Sequence, residues 1–178
     1  TVDPSAQRIF HNGVILTMNP DQPQAQAIAI TGEMIEAVGS DADILALRRP
    51  GAIVVDLQGR TLMPGFVDPH THIFNDAEQY LDMTVLEAQQ VALENGITTI
   101  GDMYVNEDFL EDMQKLDRAG GLQIRTSLYL VMTDNCGDLQ GDWWQQYTPT
   151  RTPGEQLRIG GVKIFTDGGT CEEPALSY

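Results

Sequence analysis

The sequence predicts an α/β protein: part of a (β/α)8 TIM barrel, about its first four strands, preceded by part of a small β-sandwich. Three observations carry this reading. In residues 1–61, short β-branched segments alternate with turn signals every dozen residues or so, the rhythm of a small sandwich. From Leu62 onward the order becomes strand, helix, strand, helix, strand, loop, strand, as in a parallel sheet with crossover helices. A complete barrel takes about 250 residues. The 178 residues here leave room after Leu62 for about half of one.

In the first segment, Ile9 to Met18 reads as two short strands broken by the turn signal Asn12-Gly13. Ala27-Ile28-Ala29-Ile30 leads into a hairpin at Thr31-Gly32-Glu33, with Met34 to Gly39 as the return strand. Ser40 offers a helix N-cap before Asp41 and Asp43, and Ile44, Leu45 and Leu47 give a short amphipathic turn. Ala52 to Leu57 is a further strand, turning at Gln58-Gly59-Arg60. His11 falls inside this segment with no ligand set around it and reads as structural.

In the second segment, Leu62 to Phe74 contains a short strand that ends in His70-Thr71-His72. Val85 to Glu94 has helical spacing, with Thr84 as cap and Asn95-Gly96 as stop. Ile97 to Met103 is β-branched and reads as a buried strand. Glu107 to Ala119 is a second helix with Phe109, Leu110, Met113 and Leu116 on one face, and Ile124 to Met132 is a third strand. Thr133 to Gln156 is a polar loop long enough to suggest a functional role. Trp143-Trp144 within it can wall a pocket or fill the outer core. Ile159 to Asp167 is the fourth strand.

A net charge of −16 argues against nucleic acid as a partner and against an anionic membrane surface. No apolar run approaches the ~20 residues of a membrane span. Thr1 to Gln7 has neither a basic region nor an apolar core, so a cytoplasmic location is expected. Cys136 and Cys171 have no metal-type spacing and are expected as free thiols.

In parallel α/β folds reactive groups gather at the C-terminal ends of the strands. The first such end offers Asp68, His70 and His72, the second Asp102, the third Thr133 and Asp134, and the fourth Lys163 and Asp167. Alternate residues of a strand share a face, so His70 and His72 can converge on one point, and neutral imidazoles suit a transition metal. Asp68 shares their parity and either orients a histidine or holds the turn at Pro69. Lys163, between Val162 and Ile164, stands where a free ammonium is costly. A lysine so placed loses its charge, pairs, or is modified; carboxylation would make it an anionic oxygen ligand. Alternatively its amine reaches water or pairs with Asp167 or Asp102. Asp102 and Asp167 are the candidate catalytic carboxylates. Asp102 fits a helix cap and Asp167 a turn equally well. Cys171, Glu172 and Glu173 follow on the same side.

The run from Asp56 through Pro64-Gly65-Phe66-Val67-Asp68-Pro69-His70-Thr71-His72 closely resembles the lead-in to the barrel of the metal-dependent amidohydrolase superfamily, which includes urease, dihydroorotase, hydantoinase and many deaminases. Gly161-Val162-Lys163-Ile164-Phe165 resembles that superfamily's fourth strand, and Gly96 to Asp102 its second. Val162 to Gly169 is similar to the subgroup that includes N-substituted formamide deformylase, although the long insertion common there after the first barrel strand is missing. The resemblance implies that residues 1–61 are the N-terminal part of a composite β-sandwich and residues 62–178 the truncated first half of the barrel. It makes His70 and His72 ligands of a first divalent metal, most readily zinc. Lys163, as carbamate, would bridge to a second ion.

The resemblance also implies two later histidines and a late aspartate that this chain does not contain. The expected reaction is hydrolysis of an amide-like, non-peptide C–N bond in a small-molecule substrate by a metal-activated hydroxide, with the isolated chain inactive. A missing C-terminal half or a second copy of the chain is the expected partner. The alternatives are a non-catalytic binding or assembly module on the same scaffold and a deaminase of the same superfamily.

Overall fold

The computed structural model describes residues 6–152 and 154–165. The chain divides between Pro64 and Gly65 into two units, Thr1–Pro64 and Gly65–Tyr178.

The first unit holds β1 (Gln7–His11), β2 (Val14–Leu16), β3 (Gln24–Ala25), β4 (Ala27–Thr31), β5 (Met34–Gly39), α1 (Asp41–Ala46), β6 (Ile53–Asp56) and β7 (Thr61–Leu62). They form two sheets, ordered β5-β4-β1-β6 and β3-β2-β7. Successive strand residues face opposite sides, and β4 is apolar on both because both are covered. Ala27 and Ala29 pack with Ile9 and Ile44. Ile28 lies with Ile15 and Leu57 in a second cluster, which gathers Ala25 and Leu62 from the smaller sheet. The hairpin forms as predicted, with Thr31 opposite Met34 and Gly32 at φ 60°. Ser40 caps α1 by accepting the Asp43 N–H at 3.2 Å.

The turn at Asn12-Gly13 separates the two predicted strands without pairing them. β1 pairs antiparallel with β4 and parallel with β6, whereas β2 pairs with β3 and β7 in the other sheet. Gly13 is required there by close approach: a Cβ would lie 2.5 Å from Leu57 Cδ1 and 2.6 Å from the Arg60 carbonyl oxygen. Asn12 supplies the left-handed bend at φ 56°.

The second unit holds β8 (Phe66–Thr71), α2 (Ile73–Leu81), α3 (Val85–Glu94), β9 (Ile97–Val105), α4 (Glu107–Arg118), β10 (Arg125–Val131), a 3₁₀ turn (Trp143–Gln146) and β11 (Leu157–Lys163). The sheet order is β11-β10-β9-β8, and every neighbouring pair is parallel. The fold of this unit is therefore α/β. One face of the sheet, including Ile100, Leu128 and Leu130, packs on Phe74, Ala77, Ala88, Ala92, Leu110 and Met113 of the helices. Trp143 and Trp144 pack against the same core.

Two helices, not one, fill the connection from β8 to β9. α3 has the predicted bounds and a full capping box, in which Thr84 and Glu87 satisfy each other's backbone N–H groups. α2 starts at His72, which makes no side-chain cap bond, so no local signal marks its beginning. Cys136 is disulfide-bonded rather than the free thiol expected. No helix among the described residues is long and apolar enough to cross a membrane.

Gln89 on α3 locks the helix layer to the sheet. It is fully buried; its Oε1 accepts the N–H groups of Gln123 (2.6 Å) and Ile124 (3.3 Å), and its Nε2 donates to the Gly121 carbonyl at 3.2 Å. Gln89→Leu keeps the volume but strands these backbone groups. Each unpaired buried group costs about 1–3 kcal/mol, so a loss of roughly 2–4 kcal/mol is expected in urea denaturation, with an unchanged m-value.

Candidate metal centre

His70 is the penultimate residue of β8, and His72 follows the strand as the residue that leads into α2. Their ring centroids lie 5.6 Å apart at 88°. Two imidazoles sharing one ion, with metal–nitrogen bonds of about 2 Å, hold their centroids roughly 5–6 Å apart. Asp68 Oδ1 accepts the His70 backbone N–H at 3.1 Å, which closes the turn over Pro69. Of its two predicted roles, the geometry therefore shows the turn.

His72 carries an observation that the sequence did not offer. Its Nδ1 is buried and has no hydrogen-bond partner among the described residues. Burial holds its pKa below the ordinary value; Asp76 opposes this, while His70 and Lys163 add to it. The imidazole is therefore biased toward the neutral form that a metal needs.

A ladder of rings links this histidine to the far strand. Tyr104 of β9 lies edge-on to His72 at 6.1 Å and to Phe165 at 6.2 Å. Lys163, the last residue of β11, places its Nζ 4.7 Å from the centre of the Phe165 ring, a cation–π contact. Lys163 is half-buried, and its neighbours Val162 and Ile164 are 41% and 45% exposed. The apolar enclosure expected from its flanks is thus absent among the described residues, and the Phe165 face shelters the amine instead.

Asp102 is not at a strand end. β9 runs three residues further to Val105, and Asn106 caps α4 by accepting the Phe109 N–H at 2.8 Å. Asp102 is fully buried; Oδ1 accepts the Tyr104 N–H at 3.2 Å, and Oδ2 has no partner among the described residues. Burial raises its pKa to about 7; the Tyr104 bond opposes this, and the nearby Asp76 carboxylate adds to it. Tyr104 and Asp76 join the site through tertiary contacts alone, and no spacing marks them.

At the third strand end, Thr133 Oγ1 accepts the Phe165 N–H at 2.8 Å, which ties the loop after β10 to the end of β11. Asp134 is spent on its own loop, accepting N–H groups from Cys136 and Asp138 at 2.9 and 3.0 Å. His11 ends β1 in the other unit. Asp167, Cys171, Glu172 and Glu173 lie outside the described residues.

The donor set fits a transition metal in kind and falls short in number. Two imidazoles, one of them with an orphaned ring nitrogen, suit such an ion. Among the described residues, however, no group of three or more His, Cys, Asp or Glu side chains could hold one. A third donor from Lys163 requires loss or conversion of its positive charge.

Comparison with known proteins agrees with this picture. Residues 53–94 match the family described as the amidohydrolase family. The chain is 34% identical over 62 residues to N-substituted formamide deformylase of Arthrobacter pascens, covering 35% of this chain and 11% of that protein. It is 34% identical over 162 residues to dihydroorotase of Bacillus subtilis, covering 90% of this chain and 35% of that protein. The chain thus spans only a fraction of the relatives it matches. Its fold is similar to that of an uncharacterized metal-dependent hydrolase from Pyrococcus horikoshii, with a TM-score of 0.71 at 16% identity over 88% of this chain and 54% of that one. Both converging histidines lie inside the matched region, and these matches support the amidohydrolase superfamily for the chain.

Proposed function

We propose that this chain forms the first part of a divalent-metal-dependent hydrolase acting on amide-like C–N bonds other than peptide bonds in a small molecule. The observation that carries the reading is the convergence of His70 and His72, one with a buried, unpartnered Nδ1. In this reading β8 to β11 are the first strands of a (β/α)8 barrel, and the first unit is part of a composite β-sandwich. The site then lies at the C-terminal ends of the strands, where such barrels do chemistry.

His70 and His72 would hold a first ion, zinc by donor type, and Lys163 as its carbamate would bridge to a second. A divalent ion so held supplies Lewis acidity, polarising a carbonyl and making water a better nucleophile near neutral pH. The protein's own part is to aim both imidazoles. Burial biases His72 toward its neutral form, and the Asp68 turn fixes the backbone of His70. Tyr104 limits rotation of the His72 ring from one side. The short match to the formamide deformylase supports that subgroup, and the longer match to dihydroorotase supports a C–N bond hydrolase more widely.

The test is hydrolysis of N-substituted formamides and of dihydroorotate by the full-length protein before and after chelation. Activity lost on chelation and restored by zinc is expected, with the isolated 178-residue chain inactive. Turnover indifferent to chelation would contradict the proposal. A second reading, a non-catalytic module on this scaffold, is favoured only by the incomplete ligand set among the described residues. Metal binding without turnover by the full-length protein would support it.

A further inference from the structure

The opposite ends of the same strands carry a cluster that the proposed hydrolase site does not use. Thr99 near the start of β9, Arg125 at the start of β10 and Arg158 near the start of β11 line one cavity of about 280 Å³ with Arg151 and Glu155 of the preceding loop. Register explains the clustering. Arg125 stands opposite Thr99, and Arg158 stands opposite Ser127, two residues after Arg125. Alternate residues of a strand share a face, so two guanidinium groups project from the same side of the sheet. The loop adds a third.

This concentration runs against the composition. The chain has ten Lys and Arg residues against 26 Asp and Glu, and three of those ten line this cavity. Arg158 Nε donates to Ser127 Oγ at 2.6 Å, and Arg125 Nη1 donates to the Glu155 carbonyl at 3.4 Å. Neither Arg151 nor Arg158 has a carboxylate within ion-pair distance among the described residues. Among the described residues Glu155 brings the cavity's one carboxylate, and its Oε2 is buried without a hydrogen-bond partner there. Three guanidinium groups and one carboxylate leave a net charge of about +2, since arginine stays protonated.

We infer that this cavity binds a phosphate-type oxyanion. Guanidinium forks match a tetrahedral oxyanion through paired N–H···O bonds. Near neutral pH a phosphate also keeps an O–H, which can donate to the orphaned Glu155 Oε2. Sulfate has no such proton, so the carboxylate selects phosphate over it. The cavity volume sits at the lower limit of ordinary ligand pockets, about 300–1,000 Å³, which fits a small anion. The site is remote from His70, His72 and Lys163 along the strands, and its occupant stabilises the sheet rather than taking part in hydrolysis.

The experiment is thermal unfolding of the full-length protein in phosphate, sulfate and chloride at matched ionic strength and neutral pH. Phosphate should raise Tm saturably, by about 5 °C or more at a hundredfold excess over Kd, with sulfate clearly weaker. Arg151→Gln, in an exposed loop position, and Arg158→Gln should each remove most of the phosphate response, whereas Arg48→Gln in the other unit should keep it. Glu155→Gln should narrow the gap between phosphate and sulfate. Equal responses to the three salts, or a phosphate response that survives both cavity variants, would overturn the inference.

Discussion

His72→Ala is expected to weaken zinc binding by at least about a hundredfold, the loss that follows removal of groups in and around a metal site. His70→Ala should do the same, because two imidazoles form the core of the donor set and no further ligand group surrounds them among the described residues. The two variants should differ in stability. His70 is exposed, so its replacement should be nearly neutral for the metal-free fold. His72 has a buried nitrogen without a partner, so alanine removes an uncompensated polar group and should leave the metal-free protein equally or more stable. Affinity lost without stability lost separates a ligand from a structural histidine. His11→Ala is the control, since it ends β1 in the other unit and should leave zinc affinity unchanged. Isothermal titration and thermal unfolding supply the two readouts.

Asp102→Asn is expected to flatten the acid side of the stability profile. The carboxyl's pKa in the fold is about 7, against an ordinary value of about 3.9 in the unfolded chain. Between those values the folded state holds a proton that the unfolded state has released. Stability therefore falls as pH rises from about 4 to about 7, by up to 1.4 kcal/mol per pH unit, and is level outside that window. The total is on the order of a few kcal/mol. Asparagine keeps an acceptor for the Tyr104 N–H and carries no charge, so the variant should lose the slope and be more stable than the parent at pH 8. Urea denaturation of the metal-free protein at pH 4, 6 and 8 reads this directly. A parallel slope in the variant would mean that another group carries the titration.

Much of the fold is legible because local chemistry and long-range packing agree. α3 has its capping box and its glycine stop, and its observed bounds are those the spacing predicts. The hairpin between β4 and β5 likewise follows from Thr31-Gly32-Glu33. Where local signals and distant partners disagree, the partners decide. Asn12-Gly13 bends the chain as such a pair should, yet β1 joins Ala27–Thr31 and Ile53–Asp56 in one sheet while β2 joins another. α2 escapes notice because His72, the residue at its cap, makes no side-chain cap bond and so leaves no local start signal.

The site divides in the same way. His70 and His72 are legible because alternate strand positions share a face, and the motif around them needs no tertiary information. Lys163 was singled out for its apolar neighbours, but those neighbours are exposed and the amine rests on Phe165. Asp102 owes its raised pKa to burial beside Asp76, which lies on a helix the spacing did not reveal. Tyr104 bridges His72 and Phe165 across three strands, a relation that exists only after the sheet forms. Local sequence marks the candidate ligands; assembly brings their neighbours to them.

The most direct test of the metal centre is X-ray absorption at the zinc edge of the zinc-loaded full-length protein, compared with its His70→Ala/His72→Ala variant. The site described here predicts imidazole scattering from the ion in the parent, and loss of two imidazoles together with most of the bound zinc in the variant. An unchanged imidazole signal at full zinc occupancy in the variant would place the metal elsewhere and contradict the assignment.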